Sequence, residues 1–380
     1  MSEKKLPPQH MLEAIRTWVE TESPTTHAIG VNAMMDLVEK EVEGLPVLVE
    51  RFSGRDGLGD TLLLRAGPDN GKKAVLLLAH LDTVHPVGTL ANDLPWQIDS
   101  DRAYGPGVYD MKASAYIALQ AFKQLIFDHK LIRPVLFLFV PDEEIGSPSS
   151  RPIIELLGQQ SEYVLVTEAC REGGKLVTSR KGVGRFDILI EGVPAHSGVY
   201  HEMGASAIKE AARQILDLEA LTDYERGITV NVGVVNGGSA VNVVPQYCML
   251  TVDLRINNIE DGEEYFRKII GIKPYDERIK LRIEGEINRP PFERHAEVAR
   301  LCGIIEEVAT SIGQTIGEMP RVGGGSDGNF TAALGIATVD GLGIEGGGGH
   351  TLNEYIELSS IEPRRILMMR LLERLAAEAE

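Results

Sequence analysis

Short runs of apolar residues place the strongest constraint on how this chain can fold. Residues 74–79 and 135–140 are apolar throughout, and a shorter run covers residues 163–166. Runs of this kind are typical of strands that are buried on both faces of a sheet. Apolar residues at helical spacing predict helices over residues 114–127 and 151–157, between these strands. The resulting β-α-β-α-β order predicts an α/β layered domain.

The pattern changes after about Ser179. Alternating apolar and polar residues at 186–191 begin a strand-helix-strand-strand-helix-strand order that is typical of a ferredoxin-like α+β unit. The later elements of this order are predicted at residues 205–216, 228–235, 249–256, 261–270 and 281–286. The α/β pattern then resumes with a helix from about residue 296 to 311. We therefore predict an α/β domain over residues 1–180 and 289–380, interrupted by a smaller ferredoxin-like domain at 181–288.

Charge and cysteine content exclude several classes of function. The 380 residues carry 38 Lys and Arg against 56 Asp and Glu, for a formal net charge of −18, which opposes nucleic-acid binding because that depends on neutralising phosphates. No apolar run approaches the ~20 residues that span a bilayer. The polar N-terminus predicts a cytoplasmic protein. Cys170, Cys248 and Cys302 form no CxxC motif, so we expect small buried residues rather than disulfides or a thiolate zinc site.

Polar residues follow each of the three predicted buried strands. His80 and Asp82 follow the first strand, Glu143 and Glu144 follow the second, and Glu168 follows the third. In open α/β sheets the ligand crevice lies outside the carboxyl ends of the strands. We therefore expect these five side chains to meet in one place.

Two glycine-rich segments add further candidate ligands. Asp110 lies in residues 105–112, just before a predicted helix, and His350 follows four glycines. Histidines and carboxylates without cysteine favour zinc, cobalt or manganese, and two neighbouring ions need about this many ligands. On an extended backbone Glu143 and Glu144 point in opposite directions, so that one could bind metal while the other acts as a general base. Singly, each motif also fits a helix cap or a solvated loop; their joint placement favours a metal-dependent hydrolase.

Five separated motifs occur in the order found in a known enzyme family. They resemble the dinuclear-zinc metallopeptidase family that includes glutamate carboxypeptidase, acetylornithine deacetylase, succinyl-diaminopimelate desuccinylase and the aminoacylases. The resemblance spans nearly the whole chain and is closest to glutamate carboxypeptidase. The motifs are HLDTV (80–84), GPGVYDMK (105–112), DEEIGS (142–147), GGGSD (323–327) and EGGGGHTLNE (345–354).

The resemblance implies a complete set of metal ligands for two Zn²⁺ ions per subunit, with Co²⁺ or Mn²⁺ as alternatives. His80 and Glu168 would share one ion, and Glu144 and His350 would share the other. Asp110 would bridge the two ions and would be followed by a cis peptide bond.

The resemblance also implies residues with other roles in catalysis. Glu143 would be the general base, and the Asp82 carboxylate would orient the metal-ligating His80. The inserted domain would be a lid that also forms a homodimer. From it, His196 would stabilise the oxyanion, commonly in the active site of the partner subunit.

Three further residues would bind substrate. Arg289 would hold the substrate carboxylate, for which a guanidinium is well suited, and Asn242 would assist it. Lys175 matches a pocket lysine of glutamate carboxypeptidase.

The predicted function is hydrolysis of an amide bond next to an amino acid with a free carboxylate, as in glutamate carboxypeptidase. The substrate would be a small peptide or an N-acyl amino acid. Met111 stands where the glutamate carboxypeptidase pattern has a second Asp, and Met-Lys is more common in the deacetylase branch. An N-acyl-amino-acid deacylase of the acetylornithine deacetylase or succinyl-diaminopimelate desuccinylase type is therefore the alternative. A binding protein without activity is disfavoured because the base and every ligand are present.

Overall fold

The computed structural model describes residues 9–377, and its contacts divide the chain into two compact units. The larger unit comprises residues up to Ser179, Arg294–Val322 and residues from Ser326 onward. The second unit, here called the insert, comprises Arg180–Glu293 together with Gly323–Gly325. The expected insert, 181–288, lies inside these bounds. The insert extends further because Arg180 and Phe292 exchange two backbone hydrogen bonds of 2.9 and 3.0 Å.

The helices and strands of the described residues are numbered in chain order. The helices are α1 (Gln9–Glu20), α2 (Ala28–Glu41), α3 (Thr89–Asn92), α4 (Ala113–Phe127), α5 (Arg151–Gln159), α6 (Ala207–Glu219), α7 (Ile259–Ile270), α8 (Ala296–Ser311), α9 (Gly328–Ala333) and α10 (Ile361–Ala377). The strands are β1 (Leu48–Phe52), β2 (Thr61–Ala66), β3 (Ala74–His80), β4 (Gln97–Asp99), β5 (Arg102–Tyr104), β6 (Val135–Val140), β7 (Ser161–Val166), β8 (Leu176–Val177), β9 (Gly182–Glu191), β10 (Thr229–Gly237), β11 (Tyr247–Ile256), β12 (Lys280–Arg289), β13 (Glu318–Met319), β14 (Ala337–Val339), β15 (Gly346–Gly347) and β16 (Tyr355–Glu357).

A six-stranded sheet forms the centre of the larger unit. Its strand order is β1-β2-β6-β3-β7-β14, and β6, β3, β7 and β14 run parallel. The apolar runs at β3 and β6 are buried along their whole length, which confirms the predicted α/β fold. Neighbouring residues of β3 serve opposite faces: Leu77 belongs to the same apolar cluster as Phe122 of α4, and Leu78 to the same cluster as Ile154 of α5.

A second small sheet of the larger unit carries a hairpin that is important for the site. Its order is β15-β16-β5-β4, and Gly346 and Gly347 pair with Ile356 and Tyr355. The segment that connects β15 to β16 contains His350. Gly348 allows this tight connection because its φ is +73° and a Cβ there would lie 2.3 Å from the Asn353 carbonyl oxygen.

The insert is a four-stranded antiparallel sheet with order β10-β11-β9-β12. With α6 following β9 and α7 following β11, this is the ferredoxin-like arrangement. Residues of both helices share one apolar cluster with the sheet; Leu218, Tyr265 and Leu250 are members. Helix α6 begins at Ala207 rather than at the predicted residue 205, because the Ser206 hydroxyl accepts a hydrogen bond from Lys209 N at 3.1 Å and caps the first turn.

Within residues 9–377, none of the helices has the length and apolar character needed to cross a membrane.

Candidate metal centre

The carboxyl ends of neighbouring parallel strands bring the predicted polar side chains together. His80 ends β3, Glu143 and Glu144 follow β6, and Glu168 follows β7. Since β3 pairs with both β6 and β7, these residues lie at the same edge of the sheet. Asp110 joins them from the loop that precedes α4.

The candidate ligands form two groups that share Asp110. In the first group, His80 Nε2 lies 3.1 Å from Asp110 Oδ1 and 3.4 Å from Glu168 Oε1. In the second, His350 Nε2 lies 3.2 Å from Asp110 Oδ2 and 3.1 Å from Glu144 Oε2. In each group, one donor atom from every residue lies within 4.8 Å of the others. Asp110 thus offers one oxygen to each group, which is the geometry of a bridging carboxylate.

The second group contains a buried carboxylate oxygen that a bound cation would stabilise. Glu144 Oε1 is buried and has no hydrogen-bond partner among the described residues. Burying such a group is costly unless an opposite charge or a donor meets it. Imidazole nitrogens and carboxylate oxygens are ligands for Zn²⁺ and similar divalent ions. The residues present therefore fit a pair of divalent metal ions.

The charges at the centre depend strongly on one another. Hydrogen bonds to Asp110 and Glu144 raise the pKa of His350 to about 11. Burial opposes the charged form of His80, but three nearby carboxylates, with Asp110 the strongest, raise its pKa well above the usual value. Burial raises the pKa of Glu144 and of Glu168. Without metal, protons on the two imidazoles would therefore offset part of the carboxylate charge, and a bound cation would take the place of these protons.

The sequence argument placed Glu143 and Glu144 on an extended backbone, but the structure does not. Glu143–Ile145 forms one turn of 3₁₀ helix, because the buried Asp82 carboxylate accepts both leading backbone amides, Glu143 N at Oδ1 and Glu144 N at Oδ2, each at 3.2 Å. Thr25 donates its hydroxyl to Oδ2 at 2.6 Å. Asp82 therefore anchors the turn that carries both glutamates.

Asp82 faces His80 mainly through its backbone. His80 Nδ1 donates to the Asp82 carbonyl oxygen at 2.9 Å, whereas the nearer carboxylate oxygen lies at 3.5 Å. The resemblance implied that the carboxylate orients the ring. In the structure, the carbonyl of the same residue makes the shorter contact.

The Asp110 loop is closely packed, and its conformation requires glycine. Gly107 has a φ of +70°, and a Cβ there would lie 2.4 Å from Thr83 Cγ2. The Asp110–Met111 peptide bond is cis, as the resemblance implied. The backbone amides of Gly107, Tyr109 and Asp110 all donate to the buried carboxylate of Glu354.

Glu354 and His85 are functional candidates that sequence reasoning missed. His85 Nε2 donates to Glu354 Oε2 at 2.8 Å, although 269 residues separate the two in the chain. Glu354 lies inside the last predicted motif, but no role was assigned to it. An acidic residue four positions after His350 was the available signal.

The remaining predicted residues lie outside the two ligand groups. In the insert, His196 and Asn242 are exposed neighbours: Ser197 N donates to the Asn242 carbonyl at 3.0 Å, and His196 pairs with Val243. Arg289, at the end of β12, is buried. In the larger unit, Lys175 is exposed and its backbone pairs with Arg171.

A third group of potential ligands is already neutralised. Cys302, Glu306 and Glu318 lie close together. However, Arg294 contacts both oxygens of Glu318 at 2.6 and 2.8 Å, and burial raises the pKa of the Cys302 thiol. Glu318 is thus already paired with an arginine, and Cys302 is buried, as predicted for the cysteines.

Known proteins are similar to this chain in sequence and in fold. The family model described as peptidase family M20/M25/M40 matches residues 76–374. Carboxypeptidase G2 of Pseudomonas sp. (strain RS-16) is 29% identical over 94% of this chain and 87% of that protein. Succinyl-diaminopimelate desuccinylase of Burkholderia vietnamiensis (strain G4 / LMG 22486) is 26% identical over 82% and 85%. A crystal structure of a tripeptidase from Staphylococcus aureus has a TM-score of 0.77 at 20% identity, covering 98% of this chain and 100% of that one.

These findings confirm the family predicted from the five motifs, and with it the predicted class of enzyme. The family match begins within β3 and covers β6 and β7, so that it includes His80, Glu144 and Glu168 as well as His350. The chain belongs to peptidase family M20/M25/M40 and is a metal-dependent hydrolase.

Proposed function

We propose that this hydrolase is a dinuclear zinc carboxypeptidase that cleaves the amide bond next to an amino acid with a free carboxylate. The observation that carries this proposal is the division of Asp110: its two oxygens face two separate ligand groups, His80 with Glu168 and Glu144 with His350. Two ions in these groups would polarise the scissile carbonyl and make an attacking water more acidic. Co²⁺ or Mn²⁺ would suit the same ligands.

Glu143 is the proposed general base. It shares a turn with Glu144, and Asp82 holds the backbone amides of both residues. One glutamate can therefore bind metal while its neighbour takes a proton from the water and returns it to the leaving amine. Anchoring by a single carboxylate limits how far the base can move relative to the ligand.

The insert supplies the proposed contacts to substrate and oxyanion. Arg289 would pair with the free carboxylate of the substrate, with which a guanidinium can form two hydrogen bonds. Its stem is tightly enclosed within the insert, since a Cβ at Gly325 would lie 2.8 Å from Arg289 Cδ. Asn242 would assist in binding the substrate, and the neighbouring His196 would donate to the oxyanion. Lys175 of the larger unit remains a proposed pocket residue.

We also propose that the insert forms a homodimer. Strand β10 is at an edge of its sheet, and an unpaired strand edge is a template for pairing with another chain. Val234 and Val235 on this strand are exposed, as is Leu216 on α6. Light scattering of the purified protein would test the dimer directly.

A deacylase that removes small N-acyl groups is the second candidate, and Met111 favours it. This side chain is buried, and its sulfur lies 3.4 Å from the backbone nitrogen of His80. The position therefore holds an apolar packing residue where the glutamate carboxypeptidase pattern has an Asp. Both candidates cleave an amide next to a free carboxylate, so substrates must separate them.

The test is product analysis by mass spectrometry with a mixed panel of dipeptides, aroyl-glutamates, and N-acetyl and N-succinyl amino acids. Zinc-loaded wild type should release glutamate from the peptide-linked or aroyl-linked members. Glu143→Gln should retain its metal and lose about 10²–10⁴-fold in turnover, the usual contribution of a general base. Preference for the small acyl substrates would establish the deacylase instead. Near-normal turnover of Glu143→Gln with metal bound would refute the proposed role of Glu143.

A further inference from the structure

The second ligand group is assembled from segments that are far apart in the chain. Asp110 comes from the loop before α4, Glu144 from the turn after β6, and His350 from the hairpin between β15 and β16. His350 has a positive φ of 64°, and 55% of its side chain is exposed. Its own packing therefore does little to hold it, and its position depends on how the hairpin is fixed to the Asp110 loop.

Glu354 makes that connection from the same hairpin. Its Oε1 accepts from Tyr109 N at 2.9 Å and from Asp110 N at 3.0 Å. Its Oε2 accepts from Gly107 N at 3.0 Å and from His85 Nε2 at 2.8 Å. Its side chain is only 1% exposed. Each oxygen therefore receives two donors, and three of the four donors are backbone amides of the loop that ends at the bridging carboxylate.

We propose that Glu354 is a positioning residue that docks the His350 hairpin onto the Asp110 loop and so sets the geometry of the second metal site. This inference rests on the proposed dinuclear centre. The effect is selective, because His80 of the first site is 1% exposed and is held at the end of β3. Loss of the Glu354 contacts would displace His350 from Asp110 and leave the pair of His80 and Glu168 in place.

Glu354→Gln tests this role with the smallest change in shape. A carboxamide replaces one oxygen with an NH₂ donor, and each oxygen faces two donors. If the NH₂ faces Tyr109 N and Asp110 N, both backbone amides lose their acceptor. In the other orientation the Gly107 amide loses its acceptor, whereas His85 can change tautomer and accept from the NH₂. Supporting contacts of this kind typically contribute about 10–100-fold to metal affinity. We therefore expect the second Co²⁺ to bind at least about tenfold more weakly, while the first binds as in wild type.

The measurement is titration of the metal-free full-length protein with Co²⁺, followed by calorimetry and by the visible absorption of the bound ion. Glu357→Gln is the matched control, because this residue lies on the adjacent strand β16 and makes no described contact with the Asp110 loop. It should bind two ions as wild type does. Glu354→Asp keeps both oxygens and the charge on a shorter stem, and it should show a smaller loss at the second site. This variant serves if Glu354→Gln does not fold, as judged by circular dichroism.

Three outcomes would overturn the inference. In the first, folded Glu354→Gln binds both ions with wild-type affinity. In the second, it weakens both ions equally, so that Glu354 acts through Asp110 alone and not through the His350 hairpin. In the third, Glu357→Gln weakens the second ion as much as Glu354→Gln does. Failure of wild type itself to bind a second ion would instead refute the proposed dinuclear centre.

Discussion

Replacing Asp82 with Asn should damage catalysis through the backbone of the two glutamates. The carboxylate accepts three hydrogen bonds, from Glu143 N, Glu144 N and the Thr25 hydroxyl. An Asn side chain has one acceptor oxygen, so at least one of the two amides faces an NH₂ group. A hydrogen bond to a charged group contributes about 1.5–3 kcal/mol, and we expect the free energy of unfolding to fall by about that amount. Misplacement of the proposed base by about 1 Å would lower kcat by about 10²-fold.

Thr25→Val provides the matched control for this prediction. It removes the 2.6 Å hydrogen bond to Asp82 Oδ2 but leaves the carboxylate with both backbone amides. Its unfolding free energy should fall by about 1–3 kcal/mol, with a much smaller decrease in kcat. Urea denaturation measures the first quantity, and steady-state kinetics at equal metal content measures the second. The reasoning is refuted if Asp82→Asn keeps its turnover, or if Thr25→Val loses as much turnover as Asp82→Asn.

Three further predictions follow from the charges. The pKa of His350 is about 11, so its ring carries a proton at neutral pH in the absence of metal. Because a metal ligand must be the neutral ring, Zn²⁺ binding should release protons and become tighter from about pH 6 to pH 8. Calorimetry in buffers of different ionisation enthalpy would detect this release, and its absence would contradict the prediction. Burial raises the pKa of all three thiols, that of Cys170 to about 11. A thiol reagent at about pH 8 should therefore react slowly with the native protein and quickly with the protein in denaturant. Rapid reaction of any thiol in the native protein would show the burial argument to be wrong. Arg294 lowers the pKa of Glu318 from 4.5 to about 2, so the ion pair stabilises the fold above the pKa that Glu318 has in the unfolded chain, and this contribution is lost as the pH falls toward its pKa in the folded protein. The difference in unfolding free energy between wild type and Arg294→Gln should therefore shrink from about pH 6 to pH 3. A difference that stays constant over this range would exclude the ion pair as its cause.

Helices with several turns of apolar periodicity and strands with a continuous apolar run could be predicted from sequence almost to the residue. The predicted helix at 296–311 coincides with α8, and the apolar run at 135–140 coincides with β6. The strands β4, β5, β15 and β16 were not predicted, since two or three residues carry no recognisable period. They matter nonetheless, because β15 and β16 hold the hairpin that carries His350.

The candidate ligands could be predicted because each follows a strong local signal, such as the end of a buried strand or a run of glycines. The contacts that hold them in place could not. His85 and Glu354 are 269 residues apart in the chain and come into contact only in the folded protein. Asp82 accepts hydrogen bonds from two backbone amides that lie about sixty residues away. Such contacts depend on tertiary structure, and neither the apolar periodicity nor the residue types around Asp82 predict them.

The two ends of the insert's main segment are close to each other, as are the residues of the larger unit that flank it. At its own base, Arg180 and Phe292 are hydrogen-bonded to each other, so that the two ends of the insert lie side by side. On the other side of the cut, Thr178 and Arg294 both donate to the carboxylate of Glu318, at 2.7 and 2.6 Å. Neighbouring ends of this kind are what permit one domain to be placed inside another. Because Thr178 and Arg294 both contact Glu318, a short linker between them would be enough to remove residues 179–293 from the chain.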